Sequence, residues 1–133
     1  MSLNWAVEKE HAKEPELLNT NHREIVWFDI LEFLNYAQKP WTLDPDDLTY
    51  RNERKINNVK EHFENGGWMD PTDVQKKVCD RWPQHAPDDR LIVEGRHRLV
   101  AALQLGETYA PFSVPHELVE HLKSNIKTVD VID

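Results

Sequence analysis

The sequence predicts an α+β fold in which helices pack on a small mixed β-sheet. Short runs of β-branched and other apolar residues, such as 25–28 and 91–93, are typical of strands. Longer segments with apolar residues three and four positions apart, such as 52–64, are typical of amphipathic helices. Proline-rich loops of the hairpin kind and helical crossovers both connect the strands. This mixture favours the α+β class over a regular alternation of strands and helices.

Length and composition indicate one globular domain. The chain has 133 residues, of which 39% are hydrophobic and 30% are charged. Its apolar runs are far shorter than the ~20 residues that a membrane-spanning helix needs, and the N-terminus lacks the regions of a secretory signal. Cys79 is the single cysteine, so a disulfide framework within the chain is excluded. These features predict a cytoplasmic protein without a membrane partner.

The net charge of −8 limits the class of partner. It argues against non-specific binding along DNA, which depends on a basic surface that displaces counterions. A local basic pocket is still compatible with this charge. The tryptophans are spread along the chain, so we interpret them as core and rim residues rather than as a base-stacking platform; they are Trp5, Trp27, Trp41, Trp68 and Trp82.

The N-terminal part divides into an arm and the first elements of the domain. Residues 1–22 are polar, and we interpret them as a mobile arm or as a loosely docked helix broken at Pro15. The domain proper is predicted over residues 23–133. Residues 25–28 predict its first strand, and residues 29–36 predict a helical turn. A continuous helix over 24–36 is the alternative interpretation.

A loop, a helix and a strand are predicted in the middle of the chain. Residues 39–47 contain two prolines and three acidic residues, which is typical of a loop. A helix then begins at residue 51 or 52 and ends at Glu64, before two glycines. Residues 72–79 predict a strand. The helix has one apolar face, formed by Ile56, Val59 and Phe63, and the strand places Val74 and Val78 on one side.

The C-terminal half is predicted to continue with strands and helices. Residues 80–89 contain two prolines and predict a hairpin loop before a strand over 91–94. The next helix covers 97–105, ends at Gly106 and buries a stripe formed by Leu99, Ala102 and Leu103. Three elements follow: a strand over 109–114, a helix over 115–123 with Pro115 at its first position, and a strand-like tail over 126–132.

Three basic residues follow the glycine that ends the predicted strand 91–94. Gly95 is followed directly by Arg96, His97 and Arg98, at the N-terminus of the next helix. The unpaired backbone N–H groups and the dipole of a helix N-terminus favour an anion. Arginines can clamp phosphate oxygens with two parallel hydrogen bonds. The pattern therefore predicts a phosphate site at this turn.

The same segment resembles the ParB/sulfiredoxin superfamily, also called the ParB-like nuclease domain. Its members carry a strand that ends in G-x-[HR]-R, an amphipathic helix, then L-G and a strand with a proline near its start. The resemblance covers residues 25–115, and implies a fold of that kind and an activity as a nuclease or nucleotide hydrolase. The matching residues are Gly95, Arg96, His97, Arg98, Ala101, Ala102, Leu105, Gly106 and Pro111.

Comparison with sulfiredoxin within this superfamily implies a nucleotide site. Sulfiredoxin binds ATP phosphates at its G-C-H-R segment and with polar side chains of a preceding helix, in the pattern K-x-x-[ST]-x-x-x-T. Lys55, Asn58 and His62 occupy the corresponding positions here. Arg96 occupies the position of the reactive cysteine. Because arginine cannot act as a thiol nucleophile, the chain is predicted not to be a sulfiredoxin.

Two function classes follow from these residues. In the first, a nucleotide (ATP or CTP) or a nucleic acid binds through Lys55, Asn58, His62 and the turn formed by Gly95, Arg96, His97 and Arg98. His97 is then the candidate catalytic acid or base, and Glu94 with Asp73 the candidate ligands of Mg²⁺. In the second, the chain is a non-catalytic protein-interaction module of a DNA-handling system, such as a plasmid, phage or partition system.

Overall fold

The computed structural model describes residues 3–20, 22–37, 53–76, 91–94 and 96–129. Within these ranges it confirms the α+β class, with four α-helices and a mixed sheet that is not closed. The chain order is β1 (Arg23–Asp29), α1 (Ile30–Ala37), α2 (Glu53–Glu64), β2 (Thr72–Lys76), β3 (Leu91–Glu94), α3 (Arg96–Gln104), β4 (Tyr109–Pro115), α4 (His116–Asn125) and the two-residue β5 (Thr128–Val129).

The strands lie in the order β3-β2-β4-β1-β5. Strand β4 runs antiparallel to β1 and parallel to β2, so the sheet is mixed. Strands β2 and β3 are antiparallel, and Asp73 lies directly opposite Glu94 in their register. On the other side of β2, Asp73 pairs with Ser113 of β4. Side chains that are paired in register point to the same face of a sheet.

The core lies between one face of the sheet and the helices. Helix α3 is buried almost all round, since Leu99, Val100, Ala101 and Ala102 are all 0% exposed. The predicted buried stripe of α3 was therefore too narrow, because Val100 and Ala101 are buried as well. Leu99 and Ala102 are buried as expected, whereas Leu103 is only partly buried. Other large buried side chains come from β1, β4 and the remaining helices, namely Phe28, Phe112, Phe33, Ile56, Phe63 and Leu122.

Asp29 separates the first strand from the first helix. Its Oδ1 accepts a hydrogen bond of 3.0 Å from the backbone N–H of Glu32, which caps α1. The strand β1 pairs with β4 as far as Asp29, and the helix begins at the next residue. The predicted strand followed by a helical turn is confirmed, and the alternative of one helix over 24–36 is wrong.

The N-terminal segment packs on the domain, which corrects the expectation of a mobile arm. Trp5 is 6% exposed, and its ring lies 5.1 Å from that of Phe63 in an edge-to-face arrangement. Leu17 and Leu18 are also buried. Pro15 begins a short 3₁₀ helix instead of breaking a longer one. Burial of the apolar surface of Trp5 offsets the entropy cost of ordering this segment.

Most predicted boundaries agree with the structure within one or two residues. Gly106 has a φ of 93°, a left-handed conformation that ends α3 as predicted. Pro115 is the last residue of β4 and precedes α4, so it is not the first helical residue. The tail strand is described only as Thr128–Val129. The predicted loops 39–47 and 80–89, and residues Val78, Cys79, Trp41 and Trp82, lie outside the described residues.

None of the helices in the described ranges is long and apolar enough to cross a membrane.

Candidate functional site

Strand β3 leads almost directly into α3. The strand ends at Glu94 and the helix begins at Arg96. Gly95 lies outside the described residues, and for Arg96 the structure describes the backbone only. The first turn of α3 contains no acidic residue, and its His97 and Arg98 are half-buried. The predicted strand and the basic start of the following helix are therefore present on either side of Gly95.

Arg98 anchors the segment that precedes β2. Its Nη1 donates hydrogen bonds to the backbone carbonyl oxygens of Asp70 and Pro71, the second at 3.4 Å. These contacts tie the N-terminal end of α3 to the connection between α2 and β2. In the structure Arg98 thus has a positioning role that the prediction of a phosphate clamp did not include.

Asp70 joins the same connection to the N-terminal segment. Its two carboxylate oxygens accept hydrogen bonds from the backbone N–H groups of Lys13, at 3.0 Å, and Glu14, at 3.1 Å. Its carbonyl oxygen accepts the bond from Arg98. A single residue therefore contacts both the N-terminal segment and the first turn of α3.

The candidate metal ligands lie side by side, but Asp73 is already paired with a cation. Asp73 and Glu94 are opposite each other in β2 and β3, as the metal hypothesis required. Asp73 Oδ1, however, lies 2.8 Å from Nη1 of Arg23, and the Asp73 side chain is only 16% exposed. Among the described residues, no group of three or more histidine, cysteine or acidic side chains is arranged to hold a metal. The side chain of Glu94 lies outside the described residues, so the Mg²⁺ site stays a prediction, in which Asp73 would hold the ion while paired with Arg23.

Arg23 is a residue that the sequence reasoning missed. Besides Asp73, its Nη1 contacts the carbonyl oxygens of Ser113, at 3.0 Å, and Val74, at 3.3 Å. It reaches these groups from β1 across the central strand β4. Residues 23 and 73 are far apart in the sequence and carry no shared motif, so only the strand order reveals the pairing.

The polar face of α2 is present in the structure. Lys55, Asn58 and His62 are all exposed, which agrees with the prediction that they share one face of the helix. The opposite side of α2 meets the end of α3: Lys60 Nζ donates to Gln104 Oε1 at 3.2 Å. An open cavity of about 280 Å³ lies between the two helices, lined by Glu53, Ile56, Asn57 and Gln104.

Gln104 is the last residue of α3, so these contacts are about 12 Å along the helix from Arg96. His62 contacts the connection that follows α2, since its Nε2 is 3.0 Å from the carbonyl oxygen of Trp68. Its ring also fills the space beside Gly67, where an added Cβ would lie 2.3 Å from Nε2.

The tryptophans divide into different environments. Trp5 is buried and Trp27 is half-buried, as expected for core and rim residues. Trp68 is 40% exposed, and its ring stacks on that of His11 with centroids 3.7 Å apart and planes 2° from parallel. This stack could not be predicted from local sequence, because the two residues are 57 positions apart in the chain.

Comparison of the chain with protein-family models, curated proteins and solved structures found no match. The resemblance to the ParB/sulfiredoxin superfamily accordingly stays a prediction that depends on the residues from Gly95 to Pro111.

Proposed function

We propose that this chain is a phosphate-binding domain that holds a nucleotide, ATP or CTP, or the phosphate end of a nucleic acid. The binding site is the junction of β3 and α3, formed by Gly95, Arg96 and His97. The observation that carries the proposal is the first turn of α3, which has three consecutive basic residues and no acidic one.

The electrostatics of a helix N-terminus support this assignment. The first N–H groups of a helix have no partner within the helix. Each cation placed there opposes the helix dipole at a cost of about 0.3–1 kcal/mol. A bound phosphate removes both penalties, because it accepts hydrogen bonds from the N–H groups and pairs with the cations. The sequence of this turn is therefore better suited to an anion than to an empty helix end.

The order of the elements supports the proposed ParB/sulfiredoxin-like character. Strand β3 ends just before Gly95, Gly106 ends α3, and Pro111 lies in β4. These are the positions that the family pattern assigns to its glycine turn, its L-G pair and its proline. The sequence departs from sulfiredoxin at Arg96, so the proposal covers phosphate binding and not the repair of sulfinic acid.

Within the proposed site we assign different roles to the basic residues. Arg98 already contacts the carbonyl oxygens of Asp70 and Pro71, so it positions the turn. Arg96 and His97 are assigned to the phosphate. His97 is also the group that would accept or donate a proton in a hydrolytic reaction. The proposal includes no step at a metal ion, since Asp73 is paired with Arg23.

Thermal unfolding in the presence of ligands tests the proposal. ATP, CTP, GTP, ADP, inorganic tripolyphosphate and a short single-stranded DNA are each added with and without Mg²⁺. A ligand at ~100 times its Kd stabilises the folded state by about 2.7 kcal/mol, which raises Tm by several degrees. Arg96→Gln should abolish the shift, whereas Arg54→Gln on the exposed side of α2 should retain it. An unchanged Tm with every ligand would overturn the proposal.

A second candidate function is a non-catalytic protein-interaction module. The exposed Trp68 favours it, because tryptophan is enriched at the centres of protein interfaces. On this alternative the domain binds none of the nucleotides, and Arg96→Gln leaves its partner binding unchanged. The same unfolding experiment therefore separates the two candidates.

A further inference from the structure

We propose that Trp68, with His11 stacked on it, forms the base-stacking surface of the nucleotide site. This inference rests on the proposed function, since it names the group that would recognise the base while the first turn of α3 holds the phosphates. It also revises the interpretation of Trp68 as a packing residue.

The geometry of the stack is that of a planar heteroaromatic ring on an indole. The imidazole of His11 lies parallel to the ring of Trp68, with 2° between the planes and 3.7 Å between the centroids. Trp68 is nevertheless 40% exposed, and the His11 side chain is 35% exposed. Both side chains thus keep part of their surface in solvent, and stacking of a nucleobase on such a surface needs no particular base sequence.

The backbone beneath Trp68 is held on both sides. Its carbonyl oxygen is 3.0 Å from Nε2 of His62. The next residue, Met69, donates its N–H to the carbonyl of Asn4 at 3.0 Å and accepts from the N–H of Ala6 at 2.7 Å. The side chain of Trp68 is therefore presented by a fixed segment rather than by a free loop, which lowers the entropy cost of binding a ring.

The stack lies close in the chain to the proposed phosphate site. Trp68 precedes Asp70 by two residues, and Asp70 accepts the hydrogen bond from Arg98 of α3. Two residues span at most about 7 Å. The base-stacking surface and the first turn of α3 are thus attached to the same short connection, and one mononucleotide with its phosphates is the ligand class that joins an aromatic surface to a cationic turn.

Calorimetric titration with ATP and with inorganic tripolyphosphate tests the inference. The two ligands share the phosphate chain, and only ATP carries a base. For the wild-type protein we expect ATP to bind more tightly than tripolyphosphate. Trp68→Leu should weaken ATP binding roughly five- to a hundredfold and leave tripolyphosphate binding unchanged. Trp68→Phe, which keeps an aromatic ring, should retain most of the affinity for ATP.

A second readout needs only the conservative Trp68→Phe variant, which serves to assign one resonance. In the wild-type protein the indole Nε1–H resonance of Trp68, assigned by its absence in Trp68→Phe, should move with ATP and stay in place with tripolyphosphate. Equal ATP affinities for wild type and Trp68→Leu, with an unmoved indole resonance, would overturn the inference and assign Trp68 to another role, such as docking a protein. If neither ligand binds the wild-type protein, the proposed function itself fails, and the inference fails with it.

Discussion

Nη1 of Arg23 lies 2.8 Å from Oδ1 of Asp73, and the pair joins strands β1 and β2 across the central strand β4. The two side chains are 20% and 16% exposed, so the ion pair is largely shielded from water. Two residues beyond Ser113, β4 ends at Pro115, which has no N–H to extend a ladder of hydrogen bonds. The guanidinium of Arg23 donates hydrogen bonds to carbonyl oxygens of both β2 and β4 at this point. It therefore links the two strands where their parallel pairing ends.

Arg23→Met is therefore expected to destabilise the domain by about 3–5 kcal/mol, since it leaves the shielded carboxylate of Asp73 without this cation. The double variant Arg23→Met/Asp73→Leu removes both charges and should recover part of this loss. Urea unfolding measures each free energy. If the unfolding free energy of Arg23→Met lies within ~0.5 kcal/mol of the wild-type value, the pair contributes nothing to stability.

Arg98→Ala should also lower stability, because it removes donors to the carbonyl oxygens of Asp70 and Pro71. Hydrogen bonds from a charged group contribute about 1.5–3 kcal/mol. Arg54→Ala, at an exposed position on α2, is the matched control and should change the unfolding free energy by less than ~0.5 kcal/mol. Equal stabilities of the two variants in urea would refute the positioning role of Arg98.

Trp5→Ala tests whether the N-terminal segment belongs to the folded domain. Trp5 is 6% exposed and packs on Phe63, so truncation should cost about 3–5 kcal/mol. Trp68→Ala removes an indole of the same size from a position that is 40% exposed, and should cost far less. The thermal midpoints of the two variants give the comparison, and a mobile arm would leave the midpoint of Trp5→Ala at the wild-type value.

Gly67→Ala should disturb His62 rather than the backbone. The added Cβ would lie 2.3 Å from Nε2 of His62, so the ring must move and lose its hydrogen bond to the carbonyl of Trp68. We expect Gly67→Ala to lower the unfolding free energy by about 1 kcal/mol. In a His62→Ala background the same substitution should cost almost nothing. A double-mutant cycle by urea unfolding tests this coupling, and additive effects of the two substitutions would contradict it.

Local chemistry was sufficient to predict much of the fold. The change from strand to helix near residue 29 and the end of α3 at Gly106 were both predicted from residues within a few positions. The apolar face of α2 was also predicted from local spacing, and Ile56 and Phe63 on that face are buried. That Asp73 and Glu94 lie on neighbouring strands followed from the predicted hairpin loop over 80–89, but their direct pairing in register did not.

The features that the sequence did not predict depend on contacts between distant residues. The pairing of Arg23 with Asp73 requires β1 and β2 to flank β4, and strand order is not encoded by local periodicity. The burial of Trp5 requires Phe63 as its partner. The polar face of α2 was correctly expected, but its position relative to α3 depends on how the two helices pack, and the described contacts join α2 to Gln104.

The most direct test of the proposed phosphate site is a titration of the ¹⁵N-labelled protein with inorganic tripolyphosphate, followed through the backbone amide resonances. If a phosphate binds at the start of α3, the amides of Gly95, Arg96 and His97 should show the largest shifts, and Arg96→Gln should reduce them strongly. If these amides stay in place while the protein is saturated, or if the largest shifts lie on α2 or elsewhere, phosphate binding at the β3–α3 junction is contradicted.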